Sequence, residues 1–108
     1  MKKRIIFIMA TVAALLIVVI AMATVRFYSD SQCNNLFLQK KYLSANNVCS
    51  KKAGEGDAQA QFRLGQIYQQ GLSVKKNISK AHEWYTKSAN KGNKFAQYNL
   101  ALLYGSLA

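Results

Sequence analysis

The chain has 108 residues, 51% of them hydrophobic, and fifteen Lys and Arg against four Asp and Glu give it a formal charge of +11. One His and two Cys cannot supply the four ligands of a structural zinc site within one copy, and neither Cys belongs to a CxxC redox pair. A chain of this length holds one small domain, whose excess of positive charge favours acidic partners or simply keeps a helical surface solvated.

In chain order, a basic N-terminus, residues 1–4 with Lys2, Lys3 and Arg4, precedes twenty-one uncharged residues, 5–25. At ~1.5 Å per residue that run makes about 31 Å of helix, enough to cross a hydrocarbon core of about 30 Å. The charges before it hold the N-terminus in the cytoplasm and send the remainder outward. Ala21-Met22-Ala23 fits a small-x-small cleavage site, but the apolar run is long for a signal peptide. We expect a retained signal anchor, with release after cleavage near Ala23 as the alternative. Beyond residue 25, twelve Lys and Arg against four acids leave a net charge of +8. Export argues against a nucleic-acid partner.

Residues 26–108 read as one helical domain. A short helix near 29–38, a turn at 39–41 and a second helix from Tyr42 to Ala53 form an opening hairpin. Cys33 and Cys49 lie equally far from Lys41, so on antiparallel helices they stand at similar heights, and a structural disulfide is expected. Gly54 and Gly56 break that helix and Asp57 caps the next, 58–69, where Ala60, Leu64, Ile67 and Tyr68 share a face. After a loop at 71–77, Asn77 caps a helix over 78–91 with Ala81, Trp84, Tyr85, Ser88 and Ala89 on one face. Gly92 stops it, and a last helix over 93–107 aligns Ala96, Leu100, Leu103, Tyr104 and Leu107.

The stretches 53–68, AGEGDAQAQFRLGQIY, and 89–104, ANKGNKFAQYNLALLY, agree at six of sixteen positions across a shift of 36 residues. Self-similarity at that period marks stacked helical hairpins that bury their apolar faces against each other. Leu64-Gly65, Tyr68, Gly71, Val74, Lys80-Ala81, Trp84-Tyr85, Ala89 and Gly92 together resemble a Sel1-like repeat, a relative of the tetratricopeptide repeat. Ser73 stands where that family usually has Gly, and Asn77 where it usually has Asp. The resemblance implies an all-α fold, a short α/α solenoid behind the N-terminal transmembrane helix. It also implies a non-enzymatic adaptor or scaffold that binds proteins, without family-wide catalytic residues or cofactors. With the anchor, it implies a single-pass protein of a bacterial inner membrane whose repeat domain occupies the periplasm.

The residues themselves offer little chemistry. His82 has no nucleophile placed with it by any motif, so it reads as a rim residue. Glu83 and Lys87 read as an i, i+4 pair, Glu55 and Asp57 as helix-start acids, and Trp84 and Tyr85 as packing. Residues 54–56, Gly-Glu-Gly, lack the Lys-Ser/Thr of a phosphate loop. No catalytic, cofactor or metal site is expected. The expected partner surface comprises Arg63, Gln66, Gln69 and Gln70 on the repeat face, with Leu103, Tyr104 and Leu107 on a last helix read as uncovered. A partner protein, a second copy, or truncation of a longer repeat protein would each account for that open face. A secreted toxin-neutralising or enzyme-like protein is the functional alternative.

Overall fold

The computed structural model describes residues 2–107, with side chains for all of these except 26–31, 106 and 107. Every regular element among them is an α-helix: α1 (Lys2–Leu38), α2 (Tyr42–Gly54), α3 (Ala58–Gln70), α4 (Ile78–Asn90) and α5 (Lys94–Leu107). Four of the five follow the sequence reading within a residue or two. The first does not. The apolar span and the opening repeat helix, expected as separate elements, are one helix of 37 residues. The cause lies in what is missing: the chain has no Pro and no Gly before Gly54, so nothing interrupts the backbone hydrogen bonds between them.

α1 ends in a tight turn in which Lys40 takes a left-handed φ of 60° and the Lys41 N–H donates to the Leu36 carbonyl. α2 then runs back along α1, and Cys33 and Cys49, both buried, are joined by the expected disulfide with their Cα atoms 5.0 Å apart. They centre a first core with Ala45, Ala53, Ala60, Leu64 and Ile67. A second core around Phe62, Ala81, Tyr85, Ala96 and Leu103 joins α3, α4 and α5.

The repeated stretches explain themselves at atomic level. The Asp57 carboxylate accepts from the Ala60 N–H at 2.7 Å, and 36 residues on the Asn93 amide oxygen accepts from Ala96 at 2.9 Å. Gln61 Nε2 donates to the Ala53 carbonyl at 3.2 Å, and Gln97 Nε2 to the Ala89 carbonyl at 3.2 Å. Gly56 and Gly92 bend the chain into each cap with φ of 96° and 90°. Ala60 and Ala96 are both fully packed. The identities are therefore one joint written twice: a glycine turn, an Asx cap, and a glutamine that ties each new helix to the carbonyl end of the previous one.

In the loop between α3 and α4, Gly71 and Ser73 both have positive φ, 67° and 63°. Ser73 thus adopts the conformation for which the related repeats use Gly, and Leu72 and Val74 on either side of it pack on the first core. The expected Glu83–Lys87 pairing is not formed. Lys87 Nζ instead lies over the Trp84 ring, 4.5 Å from its centroid.

Candidate partner-binding face

α3 touches α1 through Asn34 and Phe37 and touches α5 through Phe95, which makes α1, α3 and α5 one continuous side of the stack. Arg63 sits at the centre of that side. Its guanidinium lies 4.6 Å from the Phe37 ring centroid and 5.3 Å from that of Phe62, wedged between α1 and its own helix. Nε donates to Asn34 Oδ1 and Nη1 to Gln66 Oε1, each at 2.9 Å. Burial draws its pKa below the ordinary arginine value; it stays charged because arginine does not deprotonate in proteins.

A polar row runs beside it. Gln59 Nε2 also donates to Asn34 Oδ1, at 3.4 Å, and Gln59 Oε1 accepts from Asn93 Nδ2 at 3.4 Å. An aromatic row continues in the same direction, with the rings of Phe62 and Phe95 5.9 Å apart. Phe95, Tyr98 and Leu102 follow at i, i+3, i+7 along α5, and each is more than half exposed. The face therefore runs from aromatic and cationic on α1 and α3 to openly apolar on α5.

The residues expected to bind a partner are divided by the structure. Arg63 and Gln66 are half-buried and bonded to each other. Gln69 accepts from the Tyr85 hydroxyl at 2.6 Å, so it ties α3 to α4. Tyr85 is fully buried, which raises its pKa to about 12 although the Asn99 amide donates to its hydroxyl. Gln70 is exposed at the end of α3. Leu103 is not an open surface residue: it is 4% exposed, because it occupies the register of Ile67 and turns back onto the preceding hairpin. Tyr104 is exposed, with its hydroxyl 2.8 Å from His82 Nε2 and the two rings edge to face. The Leu107 side chain lies outside those described. Phe95, Tyr98 and Leu102 lie outside the surface expected from the sequence, because α5 carries two apolar stripes and the expectation follows the one with Leu100, Leu103 and Tyr104. The i, i+3, i+7 spacing of the second stripe was its available signal.

Comparison with known proteins bears on the same residues. The Sel1 repeat family model matches residues 58–93, which are α3, its loop and α4, and again residues 94–107, which are α5. Residues 58–107 therefore carry Sel1 repeats. Two sel1-like repeat-containing proteins of Acanthamoeba polyphaga mimivirus are similar to the chain. L18 is 56% identical over 43 residues, 40% of this chain and 7% of that protein; L21 is 42% identical over 57 residues, 53% of this chain and 11% of that protein. The DAP3-binding cell death enhancer 1 of Rattus norvegicus is 44% identical over 52 residues, 48% of this chain and 10% of that protein. The chain thus spans about a tenth or less of the length of these relatives. No solved structure matches it. Sel1 repeats are in general non-enzymatic modules for protein–protein interaction.

Proposed function

We propose that this Sel1-repeat protein is a single-pass membrane adaptor whose repeats, on the periplasmic side of a bacterial inner membrane, hold a partner protein on the α1–α3–α5 face. The observation that carries the reading is the continuity of α1. Lys2–Val25 is long and apolar enough to cross a membrane, and the same helix supplies Cys33, Asn34 and Phe37 to the first repeat. An anchor joined by a flexible linker would let the repeats tumble. An anchor that is itself a repeat helix fixes their orientation above the bilayer, which suits a scaffold. The basic composition beyond residue 25 supports an acidic partner.

The test is fractionation of the full chain carrying a C-terminal tag. The protein is expected in the membrane pellet after alkaline carbonate washing, with an intact mass that includes residues 1–23 and a tag that protease reaches only from the periplasmic side. A soluble product whose mass begins after Ala23 would replace this reading with the secreted one.

A further inference from the structure

Arg63 is the one described Lys or Arg held over two aromatic rings at once, and its acceptors do not neutralise it. Both are amide oxygens, from Asn34 and Gln66, and no described carboxylate pairs with it. Of the five N–H donors of a guanidinium, those two bonds use two and leave three, including both on Nη2. Flanking rings and amide bonds fix the plane of the group before any ligand arrives, so little side-chain freedom remains to be lost on binding. A planar, charged, pre-set group with three unused N–H donors suits a carboxylate. One ring beyond Phe62 the surface becomes apolar, through Phe95 to Tyr98 and Leu102.

We propose that Arg63 is the docking point for an Asp or Glu carboxylate of an extended partner segment, whose neighbouring apolar side chain lies on Phe95 and Tyr98. This inference rests on the adaptor reading above. Net charge on the repeat domain attracts an acidic segment over distance, and the Arg63 fork then sets its register. A lipid headgroup is a poor alternative. Asn34, the α1 residue bonded to Arg63, lies nine residues beyond Val25, about 14 Å along the helix. The headgroup layer beyond the hydrocarbon is about 5–8 Å deep.

The experiment pans a library of twelve-residue peptides against the full chain in nanodiscs of neutral lipid. Enriched peptides are expected to place Asp or Glu beside Phe, Tyr, Trp or Leu. Changing that acid to Gln or Asn on the untouched protein is expected to weaken binding about tenfold. Arg63→Gln should abolish the preference for the acid, and Arg63→Lys should recover only part of it, because an ammonium lacks the fork. The peptide arm needs no variant, so it stands even where an Arg63 substitution loosens α1 from α3. Binders without an acid preference, or with affinity unchanged by Arg63→Gln, would overturn the docking point and leave the adaptor reading intact. A library that yields no binder at all would overturn both.

Discussion

Reducing the Cys33–Cys49 bridge is expected to lower the stability of the repeat domain by about 3 kcal/mol, the loss associated with opening a loop of this length; the two residues are 16 apart in sequence. The reason for so large a share lies in α2. Its buried side chains are Ala45, Cys49 and Ala53, all small, so the helix brings little apolar area to the first core beyond the bridge itself. α1 does not depend on the bridge in the same way, because its helix continues through the apolar span. Denaturant melts of the full chain in detergent, with and without reductant and for the double variant Cys33→Ser/Cys49→Ser, measure the difference. Amide exchange should show α2 opening first. Equal midpoints in the oxidised and reduced protein would show that the helices pack without the bridge.

Gly65→Ala should be costly for a different reason. A Cβ on Gly65 would lie 2.5 Å from two carbons of the Tyr85 ring, well inside contact distance. That ring has nowhere to go: it is fully buried, its hydroxyl is held by Gln69 and Asn99, and Phe62 packs beside it. Alanine favours a helix over glycine by about 1 kcal/mol, whereas overpacking a core costs about 1–3 kcal/mol. With rigid surroundings the clash wins, and we expect a net loss of up to about 2 kcal/mol for Ala and failure of α3 to dock on α4 for Val. Gly54→Ala is the control, since a Cβ there meets nothing within 4 Å. A melt in which Gly65→Ala matches Gly54→Ala would mean that α3 and α4 are not pressed together at this point.

The two substitutions also show what was and was not legible in the sequence. Repeat period, the limits of α2 to α5, their caps and the cysteine pairing were readable, because each rests on local rules: a glycine with positive φ, an Asx side chain before an apolar stripe, equal spacing from a turn. The Leu64-Gly65 pair could be recognised as part of the repeat, but not the ring that makes Gly65 obligatory, because that contact joins residues on different helices. The setting of Arg63 was hidden in the same way. As a charged residue on a helix it reads as surface; its burial follows from Phe37 and Asn34, which reach it only when α1 packs beside α3. The continuity of α1 was legible in principle from the lack of any breaker, yet the change from apolar to polar composition near residue 26 suggested a boundary. Composition reports the solvent around a helix, not where its hydrogen bonds stop.

The claim on which the functional account rests is that partners meet the α1–α3–α5 side of the stack. Phe95 on that side and Leu43 on α2 are almost equally exposed, 69% and 68%, so they make a matched pair for a photoreactive phenylalanine. With the protein in nanodiscs and an acidic–aromatic peptide selected as above, irradiation is expected to give a covalent adduct from position 95 and none from position 43. An adduct from position 43 with none from position 95 would contradict the account.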